Sequence, residues 1–438
     1  MKYHAPQAAG PLKGEVRVPG DKSISHRAVL FSAMAQGTSH LTGVLDSADV
    51  RSSISAVEAL GANVDVVSGS DRGMELHITG WGGEGPIAPV EAIDCGNSGT
   101  TARLLMGILA GFDRHVVLQG DESLSNRPMG RVTDPLSEMG ATFESRGGLL
   151  PVSVRGGFLH PAEHVLSVAS AQVKSAILLA GIKATGRTVV TEPAPSRDHT
   201  ERMLPAFGVP VGRDEEACRA WIDGPAYLSA ADVDVPADPS SAAFLVAAAT
   251  LVPGSDVVLP DMAVNPTRTG YLRVLSRMGA RVDVVLGATT GGEPTATVRA
   301  RYCDELKATT ITADEVPSLI DEVPVLAVVA SAAVGTTRFE GVEELRVKES
   351  DRLTAVAEGL AAMGCVVREG EDWLEVDGPA RLASADVDSR GDHRLAMAYA
   401  VAALVAHGSV TIDGFESIDV SYPDLVTDLR DLGISTEL

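Results

Sequence analysis

The hydrophobic pattern alternates between two kinds of helical segment. One kind is apolar at nearly every position, as in Ala176 to Leu179, Ala242 to Leu251 and Val325 to Val334, the pattern of a helix buried on all sides. The other is amphipathic, as in Leu353, Val356, Leu360 and Met363, where steps of three and four lay one stripe against a core. The apolar segments run into Gly37, Gly111, Gly186, Gly254, Gly335 and Gly408, each followed by a short β-like run. The second kind ends at Leu60-Gly61, Met139-Gly140, Phe207-Gly208, Met278-Gly279, Met363-Gly364 and Leu432-Gly433. Glycine just past a helix is favoured because it turns left-handed without Cβ strain. Both markers recur six times, roughly seventy to eighty residues apart, which makes the chain a repeat protein.

Each copy reads strand, helix, strand, helix, strand, strand. Six βαβαββ units with buried inner helices predict an α/β (α+β) fold of inside-out type, with two pseudo-threefold domains of three units each. The expected domains are residues 21–237 and the discontinuous 1–20 plus 238–438. Pro-bearing hinges are expected near 19–21 and 236–239.

Composition narrows the partners. A net charge of -23 and 4% aromatic residues argue against nucleic acid and anionic membranes. The longest apolar runs, such as Ala242 to Val252, fall short of a membrane span. The N-terminal residues lack the apolar core of a signal peptide. Cys95, Cys218, Cys303 and Cys365 lie far apart, without a CxxC pair or metal-ligand spacing. The expectation is a cytoplasmic monomer with reduced thiols and no metal.

Chemistry concentrates just before each apolar helix. Asp21-Lys22-Ser23, Cys95-Gly96-Asn97-Ser98-Gly99-Thr100-Thr101-Ala102-Arg103 and Ser170-Ala171-Gln172-Val173-Lys174 open the first three. Asp238-Pro239-Ser240, Leu319-Ile320-Asp321-Glu322 and Gly391-Asp392-His393-Arg394 open the others. A helix start presents unpaired N–H groups and the positive end of the dipole, so it attracts anions. Facing domains would direct six such starts at one cleft, suited to a substrate with several anionic groups. Arg127-Pro128, Ser196-Arg197-Asp198-His199 and Arg346 to Arg352 add charge between the helices. Ser196 or Asp198 reads as a cap for the next helix, and Lys348 with Arg352 as an i,i+4 pair on a solvated helix face. Gly80 to Gly85 matches GxGxxG, but Pro86 and Pro89 follow, so no dinucleotide-binding helix opens there.

In these motifs the chain resembles the 5-enolpyruvylshikimate-3-phosphate synthase (3-phosphoshikimate 1-carboxyvinyltransferase) family, over essentially its whole length. The signatures are Pro19 to Ser23, Gly96 to Thr100, Arg127-Pro128-Met129, Ser170 to Gln172, Leu319 to Glu322, Arg346 to Arg352 and Asp392 to Arg394. The resemblance implies transfer of the enolpyruvyl group of phosphoenolpyruvate to the 5-hydroxyl of shikimate 3-phosphate, with no metal or organic cofactor. It places Lys22, Ser23, Arg27, Ser170, Ala171, Gln172, Ser196, Arg197, Asp321 and Lys348 around shikimate 3-phosphate. It places Lys22, Gly99, Arg127, Gln172, Arg352 and Arg394 around phosphoenolpyruvate. Asp321 is the candidate base, and Glu349 with Lys22 the candidates for proton delivery. Gly99 lies where a side chain would crowd phosphoenolpyruvate, which implies inhibition by glyphosate.

Ser170-Ala171-Gln172 stands where Ser-Ser-Gln is common, and Ser196-Arg197-Asp198-His199 where Ser-x-x-Tyr is common. Both are similar to the family's second sequence class. Glu344 and Val420 replace an asparagine and a lysine found in many members, so neither is carried over as a binding residue. Two alternatives are a UDP-N-acetylglucosamine enolpyruvyl transferase and a non-catalytic anion-binding repeat protein. Ser23 and the cysteine-free Asp121 to Asn126 disfavour the first. Asp321 and Glu349 disfavour the second, since a mere binder needs no carboxylates beside its anions.

Overall fold

The computed structural model describes residues 1–70 and 73–434. The chain forms two compact units, Met1–Pro19 with Pro236–Ala288 and Pro294–Leu438, and Gly20–Val235 with Thr289–Glu293. The segment Thr289–Glu293 was expected with the first of these and counts instead with the second.

In the Gly20–Val235 unit the inner helices are Lys22–Met34, Gly99–Ala110 and Ala171–Gly181. They are apolar because they pack on one another as well as on sheets. At Gly107 an added Cβ would lie 2.2 Å from the Ala176 carbonyl oxygen, so no larger residue fits that crossing. The outer helices are Ala48–Ala59, Gly130–Glu138 and the short His199–Met203. The other unit holds inner helices Pro239–Leu251, Val323–Ala330 and His393–Val405, and outer helices Gly270–Arg277, Arg352–Ala362 and Leu425–Asp431. All thirteen residues of Pro239–Leu251 are buried, and each large apolar side chain among them contributes about 1.5–3 kcal/mol.

Six small mixed sheets among the described residues cover these helices. Strand His115–Gln119 shows the plan, pairing parallel with Ile93–Asp94 and antiparallel with Leu149–Arg155, which in turn pairs with Thr142–Arg146. Val116 and Leu118 sit opposite Val154 and Val152, and all four are buried, the alternation of a sheet with one face on the core. Two sheets are completed by distant strands. Val233–Asp234 pairs with Thr38–Val44, and Lys13–Glu15 pairs with Asp256–Ala263. The sixth copy departs from the repeat, because its antiparallel partner is the N-terminal strand Lys2–Ala5, which pairs with His407–Asp413.

The glycine markers have a backbone cause. Gly61, Gly140, Gly208, Gly279, Gly364 and Gly433 all have φ between 82° and 116°, a region that strains any residue with a Cβ. In the other series Gly111 is the exception, with φ of -87°. Among the described residues no helix is long and apolar enough to cross a membrane.

Candidate active site

In the Gly20–Val235 unit, side chains cap all three inner helices. Asp21 Oδ1 accepts from Ile24 N at 2.9 Å, Ser98 Oγ from Thr101 N at 3.1 Å, and Ser170 Oγ from Val173 N. Capping fixes the first turns, so Lys22, Ser23, Gly99, Ala171 and Gln172 are presented by rigid backbone. Lys22 Nζ pairs with the carboxylate of Asp49, on the outer helix Ala48–Ala59. Gln172 joins two helix starts, accepting from Arg103 Nη1 at 2.5 Å and donating to Thr100 Oγ1 at 2.9 Å. Arg127 follows the one-turn helix Glu122–Ser125 and donates to Asn97 Oδ1 at 2.6 Å. A Cβ on Gly99 would lie 3.0 Å from Arg103 Nη1 and 3.6 Å from Arg127 Nη1, which puts both guanidiniums at this helix start.

Arg27 is buried and donates to Thr200 Oγ1 at 2.8 Å, Ser175 Oγ at 2.9 Å and the Ser23 carbonyl at 3.0 Å. Burial pulls its pKa down to about 10, and nearby Arg197 pulls the same way against Glu201, Asp21 and Glu293. Two guanidiniums thus share one neighbourhood, which favours an anion beside them.

The same unit holds a charged cluster whose pairing the sequence reading missed. Lys174 Nζ is buried 2.7 Å from Glu192 Oε2 and 2.9 Å from Glu201 Oε1. Burial alone would strip the charge from Lys174, but Glu201 and Glu192 outweigh it and raise the pKa. Glu192 Oε1 also accepts from Ser196 Oγ at 2.6 Å and from the Ser170 backbone N at 3.2 Å. One carboxylate therefore orients two of the residues expected around shikimate 3-phosphate.

Asp198 does not cap its helix with its side chain. Its Oδ2 instead accepts from Arg202 Nε at 2.8 Å and Arg213 Nη1 at 3.1 Å. The loop is anchored further by His199, whose Nδ1 lies 2.6 Å from Glu293 Oε1 with both side chains fully buried.

In the other unit Asp321 gathers three cations. Arg352 Nη1 lies 3.1 Å from Oδ1, Lys348 Nζ 3.6 Å from Oδ1, and Arg394 Nη2 3.7 Å from Oδ2. Asp392, the cap of His393–Val405, accepts from Arg352 Nε at 2.7 Å. Glu349 Oε2 accepts from Arg352 Nη2 at 2.6 Å. Burial opposes the Arg352 charge, but Asp392, Glu349 and Asp321 prevail and hold its pKa above the ordinary arginine value. The expected solvated helix face is absent here. Glu343–Val347 forms a 3-10 turn, the helix starts only at Arg352, and that side chain is 1% exposed. A guanidinium with three carboxylate partners goes inward because they compensate its desolvation.

Arg394 Nη1 lies 3.4 Å from Glu322 Oε1, which also accepts from Ser240 Oγ at 2.5 Å. Ser240 in turn accepts from buried Arg268 at 2.9 Å. Val420 ends a 3-10 turn, Phe415–Val420, half-buried and without charge.

Sequence reasoning left out Arg103, Asp49, Lys174, Glu192, Glu201, Arg268, Glu322 and Asp392 as site residues. Arg103 carried a signal, lying one helical turn after Gly99 on the same face. Glu322 and Asp392 stood inside quoted motifs. Glu192 carried none, being one acid in a Pro-rich turn.

The family described as EPSP synthase (3-phosphoshikimate 1-carboxyvinyltransferase) matches residues 6–429. A curated relative named 3-phosphoshikimate 1-carboxyvinyltransferase, from Halorhodospira halophila, is 49% identical over 98% of this chain and 96% of its own. One of the same name from Acidithiobacillus ferrooxidans is 47% identical over 98% of this chain and 97% of its own. The solved structure of EPSP synthase from Acinetobacter baumannii superposes with a TM-score of 0.89 at 40% identity, covering 100% of this chain and 99% of that one. The enolpyruvyl transferase NikO from Streptomyces tendae has a TM-score of 0.79 at 20% identity, covering 99% and 98%, and shares the fold.

The Lys174 cluster gives a direct prediction. Lys174→Met leaves Glu192 and Glu201 buried without their cation, so unfolding free energy should drop by about 3–5 kcal/mol. Urea denaturation measures this, and an unchanged midpoint would contradict a charged cluster.

Proposed function

The chain belongs to the EPSP synthase family, and from that premise we propose how its residues divide the chemistry. The reaction joins the enolpyruvyl group of phosphoenolpyruvate to the 5-hydroxyl of shikimate 3-phosphate, releasing phosphate, on the route to aromatic amino acids. The substrates together carry two phosphates and two carboxylates. Binding them takes several cations and helix starts held in fixed geometry.

We assign shikimate 3-phosphate to Lys22, Ser23, Arg27, Ser170, Ala171, Gln172, Ser196, Arg197, Asp321 and Lys348. Support comes from the shared anchor of Ser170 and Ser196 on Glu192, and from the nearness of Arg197 to Arg27. We assign phosphoenolpyruvate to Lys22, Gly99, Arg127, Gln172, Arg352 and Arg394, and add Arg103, which touches both Gln172 and the Gly99 turn.

The observation that carries the catalytic assignment is Asp321 with Lys348, Arg352 and Arg394 all within 4 Å. In the proposed mechanism Asp321 takes the proton of the 5-hydroxyl as its oxygen bonds to C2 of phosphoenolpyruvate. A proton from Glu349 or Lys22 adds to C3, turning the methylene into a methyl group and leaving a tetrahedral adduct. The deprotonated donor then takes back one methyl proton as the adduct's phosphate leaves, which restores the double bond in the product. Positioned acids and bases supply about 10²–10⁴-fold, and orientation with charge stabilisation supplies the larger share.

Glyphosate fits the same reading as an inhibitor at the phosphoenolpyruvate subsite, since Gly99 leaves room below Arg103 and Arg127. The reading also places the protein in the cytoplasm as a monomer without nucleic-acid or membrane partners, in keeping with a net charge of -23.

A phosphate-release assay tests this. Release should require both substrates, and Lys22→Met should lower kcat by about 10²-fold or more while leaving the circular dichroism spectrum unchanged. Near-normal turnover of that folded variant would remove Lys22 from the mechanism. With shikimate 3-phosphate present, glyphosate should compete with phosphoenolpyruvate, and Gly99→Ala should weaken the inhibition. Noncompetitive inhibition, or equal potency on that variant, would refute the assigned subsite.

A further inference from the structure

One buried titratable residue of the first motif plays no part in the chemistry above. His26 lies one turn beyond Lys22 and is fully buried. Its Nδ1 is 2.8 Å from Ser53 Oγ, Ser53 Oγ is 2.7 Å from Thr101 Oγ1, and Thr101 Oγ1 donates to Ser98 Oγ at 2.7 Å. All four residues are buried.

Hydrogen counting orders this chain. A hydroxyl has a single proton. With that of Thr101 on Ser98, the Ser53 proton goes to Thr101, and His26 must donate from Nδ1–H. Its other nitrogen, Nε2, has no hydrogen-bond partner among the described residues. Burial, reinforced by Lys22 and Arg27, holds the pKa of His26 well below the ordinary histidine range. The hydrogen bonds fix the donor at Nδ1, and burial favours the neutral ring with its lone pair on Nε2.

The chain starts on the helix of Lys22, passes through the helix that carries Asp49, and ends at the cap of the helix that begins with Gly99. Those are the supports of the proposed phosphoenolpyruvate subsite. Arg27, Ser170 and Ser196 are held by other partners, namely Thr200, Ser175 and Glu192. We propose that His26 is a positioning residue for phosphoenolpyruvate, fixing the Gly99 turn relative to Lys22 through Ser53, Thr101 and Ser98. This rests on the subsite assignment above.

The test is steady-state kinetics with each substrate varied in turn. In His26→Leu the relay loses its first donor, and KM for phosphoenolpyruvate should rise about three- to tenfold, the size of one buried hydrogen bond. KM for shikimate 3-phosphate, which shares Lys22 but also rests on Arg27, Ser170 and Ser196 held by Thr200, Ser175 and Glu192, should stay within about twofold. His26→Asn puts an amide N–H in the place of Nδ1–H and should restore KM for phosphoenolpyruvate to within about twofold of the starting enzyme. Thr101→Val cuts the relay at a second point with little change of shape and should show the same split, which decides the matter if His26→Leu does not fold.

Equal rises in both KM values, or no rise in either folded variant, would overturn the positioning role. Inactivity of the unaltered enzyme with both substrates would instead overturn the functional reading beneath it.

Discussion

Each of the two units depends on keeping positive charge partly out of water. A buried guanidinium or ammonium is costly unless a carboxylate compensates it, and removing one partner of such a pair costs more than the pair contributes. Lys22 rests on Asp49, Lys174 on Glu192 and Glu201, and Arg352 on Asp392, Asp321 and Glu349. Three of these carboxylates also do a second task. Glu192 orients Ser170 and Ser196, Asp392 caps a helix, and Asp321 gathers three cations. The acidic residues set among these cations are what hold them in place.

The fold serves this arrangement through repetition. Every inner helix is apolar along its body and polar at its start, so burying the body delivers the start to a defined position. Caps on Asp21, Ser98, Ser170, Asp238 and Asp392 then stop the first turns from fraying. Functional side chains on the first turn of a packed helix are held better than they would be on a loop. Other functional residues lie outside these helix starts: Arg127 and Lys348 follow short turns, and the buried contact of His199 with Glu293 secures the Ser196–His199 segment.

Much of this was legible from the residues. The repeat, the two helix types and the glycine punctuation follow from local physics, and the left-handed φ at Gly61 or Gly364 is what their positions after a helix require. What stayed hidden were pairings between segments far apart in sequence. Glu192 and Lys174 look like ordinary polar residues until the fold joins them. Charge patterning misread Arg346 to Arg352 because it assumes that a run of charge stays in water. Asp392 and Asp321 lie distant in the chain, so nothing local marked Arg352 as buried. Asp198 was misread for a related reason, since capping is a local rule and Arg213 is not a local partner.

The measurement that tests the central claim most directly is the structure of the protein crystallised with shikimate 3-phosphate. The account predicts its phosphate within hydrogen-bonding distance of Ser170, Ser196 and Arg197, with Glu192 still holding both serines. Density for the ligand on other residues, with those three making no contact to it, would contradict the account.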